Sequence, residues 1–211
     1  MCQMAMPESC LGVIMPCHSN PEDEADARLV ADQLRIPTMR VPLEAPFDAL
    51  TKLVDGAFTT VPGLRPHATD DPKARVPQAN VKPRLRMTTL YFVANRLNYL
   101  VAGTGNRCEI AIGYFTKYGD GGSDVLPIGN LLKSEVRAMA AQLGVPQPII
   151  DKAPSAGLWI GQTDEAEMGF TYDMLELYLT KGADAVPADV AKRIAALHAA
   201  SAHKRKTAPI P

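Results

Sequence analysis

The sequence predicts an α/β fold in which a parallel sheet carries helices on both faces. The first observation is alternation: residues 11–15 and 38–41 are predicted strands, and each is followed by a segment of helical spacing. Such alternation favours a parallel sheet. The second observation is a glycine-rich segment from residue 103 that directly follows another predicted strand, residues 99–102. Ligands of open α/β sheets bind at the carboxyl ends of strands, so this segment is the predicted site.

The first two helices are predicted from caps and from apolar spacing. Asn20 and Pro21 supply an N-cap and a proline in the first turn, and acidic residues follow them. The helix dipole explains these acidic residues better than a metal site does. A second helix is predicted to begin at Pro46. The positions expected on the buried faces are Leu29, Val30 and Leu34 in the first helix, and Phe47, Leu50, Val54 and Phe58 in the second.

Prolines between residues 62 and 77 predict a long irregular loop. From residue 82 to residue 98 the pattern is helical again, but its apolar residues are not confined to one face. A helix that is apolar on several sides is buried on several sides. One face can pack on the sheet, while the other either contacts a second copy of the chain or lies inside the same domain.

The second half of the chain is predicted to be mostly helical. A short strand at 125–128 precedes a helix at 133–143 that Gly144 ends. Lys133 falls in the first turn of that helix, where a cation is disfavoured unless an anion, such as a bound phosphate, is nearby. Residues 153–165 bear glycines and hydroxyls, which suits phosphate binding or a lid. Two further helices precede a basic segment, residues 203–206.

Length and composition narrow the possible classes of protein. With 211 residues, of which 46% are hydrophobic, the chain is predicted to form a single domain spanning residues 1–211. A net charge of −1 argues against general affinity for nucleic acid or for an anionic membrane. No apolar run is long enough to span a bilayer and no signal peptide is evident, so a cytoplasmic location is predicted. The four cysteines show no Cys-x-x-Cys spacing, which argues against a zinc site.

Two strings around the glycine-rich segment carry a resemblance. Residues 103–109 read Gly-Thr-Gly-Asn-Arg-Cys-Glu, and residues 114–124 read Tyr-Phe-Thr-Lys-Tyr-Gly-Asp-Gly-Gly-Ser-Asp. On spacing alone they are as compatible with tight turns as with a site for phosphate and a cation. Together they resemble the signature of the NAD synthetase family, and the resemblance covers almost the whole chain. It implies a Rossmann-like fold of the adenine nucleotide alpha-hydrolase type.

The resemblance implies a two-step ligase reaction. The nicotinate carboxylate of deamido-NAD would attack the α-phosphate of ATP and release pyrophosphate, and ammonia would then displace AMP to leave the amide of NAD. The chain leaves no room for a glutamine-hydrolysing domain, so ammonia would arrive free. Members of this family are homodimers, and residues 80–87 are among those that resemble it. A homodimer through the helix at 82–98 is therefore expected.

The resemblance also assigns roles to single residues. Thr104, Lys133 and Ser155 would bind ATP, with Ser155 standing where the family often has threonine. Glu109 would hold Mg²⁺, a hard cation that takes oxygen ligands. The residues that match contacts to deamido-NAD are Arg84, Lys117, Asp124, His203 and Lys204. The position of the last two at the end of the chain suggests a tail that closes over the dinucleotide.

One departure from the family pattern concerns the N-terminal region. The family's phosphate loop, Ser-Gly-Gly-x-Asp-Ser, is expected before Leu11, and residues 1–10 do not contain it. We therefore expect an N-terminally truncated domain without its first strand and helix and without a second Mg²⁺ ligand. The first of three readings is an ammonia-dependent NAD synthetase whose 211-residue form has little activity. The second is an inactive homologue that keeps dinucleotide binding and dimerisation. The third, another α/β phosphate-binding protein, requires the long central match to be a coincidence.

Overall fold

The computed structural model describes residues 1–68, 71–159 and 161–210. Its strands are β1 (Gly12–Ile14) and β2 (Thr38–Arg40). Its helices are α1 (Cys2–Ala5), α2 (Pro21–Gln33), α3 (Glu44–Phe58), α4 (Pro72–Ala79), α5 (Val81–Leu97), α6 (Arg107–Ile112), α7 (Lys133–Gln142), α8 (Gln147–Asp151), α9 (Asp164–Met168), α10 (Tyr172–Lys181) and α11 (Ala188–Ala200). Single 3-10 turns cover Pro7–Ser9, Ala183–Ala185 and Ala202–Lys204.

The predicted parallel pairing is confirmed for the first two strands. β1 and β2 pair in parallel, with Gly12 opposite Thr38 and Ile14 opposite Arg40. The strands predicted at 99–102 and 125–128 are wrong in extent, because they meet in a single parallel bridge between Ala102 and Val125. The Asp124 carboxylate accepts the N–H of Val101 at 2.8 Å, and Pro127 has no N–H to donate, so the ladder does not extend.

The helices α2 and α3 form where caps and spacing predict them, but their faces are less buried than expected. The Asn20 side chain accepts the N–H of Glu22 and caps α2. The buried residue of α2 is Ala31, whereas Leu29 is 44% exposed. Leu50 and Val54 of α3 are exposed as well. The predicted inward positions of Leu29, Leu50 and Val54 are therefore wrong within one copy of the described chain.

The region predicted as an irregular loop contains a helix. Residues 69 and 70 lie outside the described residues, and α4 follows directly from Pro72 to Ala79 with Pro77 inside it. Pro72, in the first turn of α4, costs no hydrogen bond, since the N–H groups of a first turn have no partner within the helix. Pro77 removes only one bond from this short helix, and the N–H of Asn80 still reaches Val76 O at 3.0 Å.

The helix predicted at 82–98 is confirmed as α5, which ends at Asn98 in the left-handed conformation. Lys82, Pro83 and Ala94 are buried, whereas Phe92 is 63% exposed. One side of α5 thus packs within the chain, and the side that carries Phe92 is open to solvent in a single copy. None of the helices in the described ranges combines the length and the apolarity that a bilayer crossing requires.

The main apolar core lies between α6, α10 and α11. Gly113 ends α6 with φ of +69°, a value that favours glycine, and a Cβ at this position would overlap with the side chain of Ser201. α6 and the end of α11 therefore approach closely at this glycine. The buried members of the core are Cys108, Ile112, Met168, Phe170, Tyr172, Leu175 and Ile194. This packing fixes the start of α6, where the glycine-rich segment ends.

Candidate functional site

The glycine-rich segment opens into a large cavity of about 1720 Å³ between β1, α5, α6, α7 and the loop before α9. Position 103, at the mouth of the cavity, requires glycine, since a Cβ there would lie 2.5 Å from the Ser123 hydroxyl. All the residues predicted to bind ATP or the metal ion line this one cavity, namely Thr104, Glu109, Lys133 and Ser155. The chain thus brings together side chains that are up to 51 positions apart in sequence.

Glu109 has a local structural role as well as a place in the cavity. It is the third residue of α6, and it forms a capping box with Asn106 in which Glu109 Oε2 accepts the N–H of Asn106 at 3.0 Å. Its other oxygen, Oε1, lies 3.1 Å from Lys133 Nζ. Both side chains are mostly buried, with 17% and 20% of their surfaces exposed. The anion that stabilises Lys133 in the first turn of α7 is therefore the Glu109 carboxylate.

A magnesium ion would find one protein ligand here. In the described ranges there is no group of three or more His, Cys, Asp or Glu side chains that could hold a metal ion. Mg²⁺ is commonly bound by one or two carboxylates, with water and substrate phosphate oxygens completing the shell. Glu109 fits that pattern as a single carboxylate, provided that the ion arrives with a phosphate and displaces Lys133 from Oε1.

A hydroxyl–carboxylate network continues from Glu109 into the protein. Tyr172 Oη lies 2.8 Å from Asp164 Oδ2 and 3.4 Å from Glu109 Oε1. Asp164 is 4% exposed, and burial raises the pKa of its carboxyl group. Burial and the neighbouring carboxylates also raise the pKa of Tyr172. Beside this pair, Tyr114 donates a hydrogen bond to Glu167.

The sequence patterns did not identify this network. Asp164 begins α9 and is followed by further acidic residues, a pattern that the helix dipole explains without any site. Tyr172 falls in one of the two helices predicted before the basic segment, and no site role was assigned to it. The link between the two residues is chemical: when a tyrosine hydroxyl and an aspartate carboxylate are both buried, each requires a hydrogen-bond partner.

The loop before α9 carries Ser155 at the surface of the cavity. The Ser155 hydroxyl accepts the N–H of Gly157 at 3.1 Å and is exposed, so it remains accessible to a ligand. The loop is held to α5, because the buried Lys82 donates to Leu158 O at 2.9 Å. Trp159 packs under the guanidinium of Arg75 at 4.1 Å. Ile160, within the predicted lid, lies outside the described residues.

The residues predicted to contact deamido-NAD fall into two groups. Arg84 Nε donates to Lys117 O at 3.3 Å, and Lys117 and His203 both line a second cavity of about 660 Å³ at the end of the chain. Lys204 instead lines the large cavity. Its Nζ donates to Gly113 O at 2.8 Å and to Phe115 O at 2.7 Å, and burial lowers its pKa.

Asp124 is separate from the other predicted dinucleotide residues. Its carboxylate accepts the N–H of Val101 and, at 3.0 Å, the hydroxyl of Tyr91. Asp124 lines neither of the two cavities. In this structure it supports the strand end that leads into the glycine-rich segment.

Lys82 and Arg86 are further polar residues that sequence reasoning did not select. Lys82 Nζ donates to His18 O at 3.3 Å, and Arg86 donates to Met15 O at 3.1 Å and to the Ser19 hydroxyl at 3.0 Å. These bonds tie α5 to the segment that follows β1. The available signal was the spacing of four residues between the two cations, which places them on the same side of the helix.

Comparison with known proteins decides the family. The profile of the NAD synthase family matches residues 1–208. The chain belongs to this family. It is 52% identical over 208 residues to the NH(3)-dependent NAD(+) synthetase of Carboxydothermus hydrogenoformans, covering 98% of this chain and 80% of that protein. It is 43% identical over 209 residues to the protein of the same name from Finegoldia magna, covering 99% and 79% of the two chains.

Solved structures of NAD synthetase relatives have the same fold. The NMN synthetase of Francisella tularensis superposes with a TM-score of 0.87 at 36% identity, covering 99% of this chain and 81% of that one. The NH3-dependent NAD synthetase of Campylobacter jejuni, in complex with the nitrate ion, superposes with a TM-score of 0.74 at 26% identity, covering 100% and 81%. The predicted Rossmann-like α/β class is therefore confirmed, and so is the assignment to a family of ligases.

Proposed function

We propose that this NAD synthetase family member catalyses the ATP-dependent amidation of deamido-NAD by ammonia, yielding NAD, AMP and pyrophosphate. The observation that carries the proposal is the convergence of Thr104, Glu109, Lys133 and Ser155 on one cavity. The relatives that are most alike in sequence among those above are named NH(3)-dependent NAD(+) synthetases, which supports the choice of ammonia as nitrogen donor.

The proposed reaction has two displacement steps. A nicotinate carboxylate oxygen attacks the α-phosphorus of ATP, the bond to pyrophosphate breaks, and a nicotinate adenylate forms. Ammonia then attacks the carbonyl carbon, the bond to AMP breaks, and the nitrogen loses one proton to leave the amide. A carboxylate is a poor electrophile, so the protein must hold two polyanions together and offset the charge that develops.

On the ATP side, Lys133 supplies the cation that offsets phosphate charge, and the hydroxyls of Thr104 and Ser155 supply neutral donors. Both hydroxyl-bearing residues are exposed on the cavity wall, so they are accessible to a nucleotide. Glu109 is the proposed ligand of Mg²⁺, which would offset further charge on the phosphates when it is bound.

On the dinucleotide side, Arg84, Lys117 and His203 form the proposed binding group. Arg84 and Lys117 are in contact, and Lys117 shares a cavity with His203. Lys204 and Asp124 have a different geometry, since both hold backbone groups. We propose that these two act on deamido-NAD mainly by fixing the loops on which the other residues lie.

We also propose a homodimer through residues 82–98 and a cytoplasmic location. The exposed Phe92 on α5 supports the dimer, because a large aromatic side chain gains free energy when a partner covers it. Deamido-NAD, ATP and free ammonia are the proposed partners of the site. The location rests on composition alone.

Nicotinate mononucleotide is a second candidate substrate, because one of the structural neighbours is named an NMN synthetase. Such an enzyme would amidate the mononucleotide, which lacks the adenylate half of deamido-NAD. The 52% identity to the Carboxydothermus hydrogenoformans NAD synthetase, against 36% to the NMN synthetase, favours deamido-NAD. Measuring kcat/KM for deamido-NAD and for nicotinate mononucleotide in parallel decides between them, and a preference for the mononucleotide would overturn the assignment.

The experiment that tests the proposal combines turnover with binding. Amide formation is measured with deamido-NAD, ATP, Mg²⁺ and ammonium chloride, and the equilibrium affinities for ATP and deamido-NAD are measured by calorimetry. Turnover supports the synthetase and rejects the inactive homologue. Binding of both ligands without turnover supports the inactive homologue, and the absence of binding contradicts both.

A further inference from the structure

Two residues of α10, one helical turn apart, contact the first turn of α7. Tyr172 and Glu176 are four positions apart, which places them on the same face of α10. The centre of the Tyr172 ring lies 4.9 Å from the ammonium nitrogen of Lys133. The Glu176 carboxylate accepts two hydrogen bonds from Ser134, one from the N–H at 2.7 Å and one from the hydroxyl at 2.6 Å. α10 therefore contacts both the side chain of Lys133 and the backbone that follows it.

The bonds to Ser134 stabilise a part of α7 that the helix cannot stabilise by itself. The N–H of Ser134 lies in the first turn, where no carbonyl group of an earlier turn is present to accept it. An ionised carboxylate forms stronger hydrogen bonds than a neutral acceptor does, and its charge is favoured at the N-terminus of a helix. Without Glu176 the first turn of α7 would lose this acceptor and fray more readily.

α10 is anchored in the protein core, so it provides a fixed support for these contacts. Leu175, the residue before Glu176, is 0% exposed and belongs to the apolar core between α6, α10 and α11. Because α6 packs in the same core, α10 sets the position of α7 relative to α6. The 3.1 Å distance between Glu109 on α6 and Lys133 on α7 depends on that position.

We propose that Glu176 is a positioning residue, which acts through Ser134 to place Lys133 for contact with the phosphates of ATP. The inference rests on the proposed function, in which Lys133 binds ATP. Lys133 lines the large cavity, whereas Glu176 and Ser134 line neither of the two cavities described above, so they act on the nucleotide only through Lys133. The four-carbon stem of a lysine is flexible, so the place of its ammonium group depends on how firmly its backbone is held.

The first variant is Glu176→Ala, and the measurement is the dissociation constant for ATP with Mg²⁺ by calorimetry. Loss of both bonds should raise this constant roughly three- to tenfold and lower kcat for amide formation, while the KM for deamido-NAD stays near the wild-type value. Asp173→Ala is the matched control, since Asp173 is exposed in the first turn of the same helix, and it should leave ATP affinity unchanged.

Glu176→Gln is the conservative variant. Its amide oxygen can accept the Ser134 N–H, and its N–H₂ group can donate to the Ser134 hydroxyl, so both hydrogen bonds are kept without the charge. It should therefore restore most of the ATP affinity that Glu176→Ala loses. Full ATP affinity in Glu176→Ala, or no recovery in Glu176→Gln, would overturn the proposal.

A double-mutant cycle with Lys133→Met separates positioning from general stability. If Glu176 acts through Lys133, then Glu176→Ala should change the dissociation constant for ATP by less than about twofold in the Lys133→Met background. A purely structural loss would weaken ATP binding by the same factor in both backgrounds, and that result would overturn the proposal.

Ser134→Ala is a second test, and it does not weaken the intrinsic preference of α7 for the helix, because alanine is a better helix former than serine. It removes only the 2.6 Å bond from the hydroxyl to Glu176. The dissociation constant for ATP should still rise by about two- to threefold. An unchanged or tighter affinity for ATP in Ser134→Ala would contradict the positioning role.

The two proposals fail differently. ATP binding that depends on Glu176 through Lys133, without amide formation, would contradict the amidation reaction and leave the positioning role standing. Amide formation with an unchanged dissociation constant for ATP in Glu176→Ala would contradict the positioning role alone. A wild-type chain that binds no ATP would contradict both.

Discussion

Lys133 Nζ lies 3.1 Å from Glu109 Oε1, so the first turns of α7 and α6 are joined by an ion pair inside the large cavity. The pair offsets two charges that would otherwise be poorly solvated, since each side chain is mostly buried. An incoming ATP·Mg²⁺ complex carries both kinds of partner, phosphate for Lys133 and Mg²⁺ for Glu109. Nucleotide binding is therefore expected to exchange this internal pair for two contacts to the ligand.

The exchange predicts a specific defect for Glu109→Gln. The variant keeps a side-chain oxygen for the Asn106 N–H but loses the charge that a metal ion requires, so Mg²⁺ should no longer strengthen ATP binding. The rate of amide formation should fall by roughly a hundredfold, while the affinity for deamido-NAD stays near that of the wild type. Calorimetry with ATP in Mg²⁺ and in EDTA, together with steady-state kinetics, measures both effects.

Glu135→Gln is the matched control for this substitution. Glu135 occupies the same third helical position in α7 and accepts the N–H of Leu132, but it is exposed. The Glu135→Gln variant should lose some helix stability, and its ATP binding should still be strengthened by Mg²⁺. Equal losses of ATP and deamido-NAD affinity in Glu109→Gln would argue against a metal role.

The glycine at the end of α6 predicts a large stability effect. Gly113→Ala places a Cβ at positive φ and against Ser201, so both backbone strain and overpacking contribute, at about 3 kcal/mol in the free energy of unfolding. Gly144→Ala is the control, since Gly144 also has positive φ, +74°, but its Cβ would have no neighbour within 4 Å. It should cost about 1 kcal/mol. Urea unfolding measures both, and equal costs would show that Ser201 moves aside.

The order of elements was predictable from the sequence because it depends on caps and spacing. Asn20 at the start of α2 and Gly144 after α7 are examples in which one residue determines a helix end. α4 was missed because Pro77 is usually read as a helix breaker, although in a helix of eight residues it removes only one backbone hydrogen bond. Leu29 and Leu50 were expected inside because spacing shows which face is apolar and not whether anything covers that face.

The sequence selected candidate site residues but did not show how they connect. Glu109 and Lys133 were each selected as ligand contacts, and their pairing follows only from the position of α7 beside α6. The role of Asp124 in holding Val101 and that of Lys204 in holding two carbonyl oxygens are likewise three-dimensional. Asp164 was missed because its burial depends on Tyr172, which lies in the next helix.

The cysteines give a prediction about reactivity. Cys108 is fully buried, and burial raises the pKa of its thiol to about 11. At pH 8 roughly one Cys108 thiol in a thousand is then ionised, so an aromatic disulfide reagent should not label it in the native protein. Cys2, which is partly exposed, should react readily. Mass spectrometry of the labelled protein checks the order, and fast labelling of Cys108 in the native state would mean that the core around α6 opens.

The end of the chain predicts different effects for two neighbouring residues. Removing everything after Ala202 would also remove the bonds of Lys204 to Gly113 and Phe115, so truncation mixes stability with binding. His203→Gln is the sharper variant, because His203 is exposed. It should weaken deamido-NAD binding several-fold without changing the midpoint of urea unfolding. Lys204→Met should lower both the affinity for deamido-NAD and that midpoint. His67→Gln, another exposed histidine, is the control, and unchanged affinity in His203→Gln would remove this residue from the site.

The open side of α5 predicts the oligomeric state. If a second copy covers Phe92, then Phe92→Asp buries a carboxylate in an apolar contact, which costs several kcal/mol, and the dimer should dissociate. Sedimentation velocity of the wild type and the variant over a range of concentrations measures the change. Leu177→Asp on α10 is the control, because Leu177 is also an exposed apolar residue but lies on another helix. A monomeric wild type, or a Phe92→Asp variant that stays dimeric, would place the contact elsewhere or exclude it.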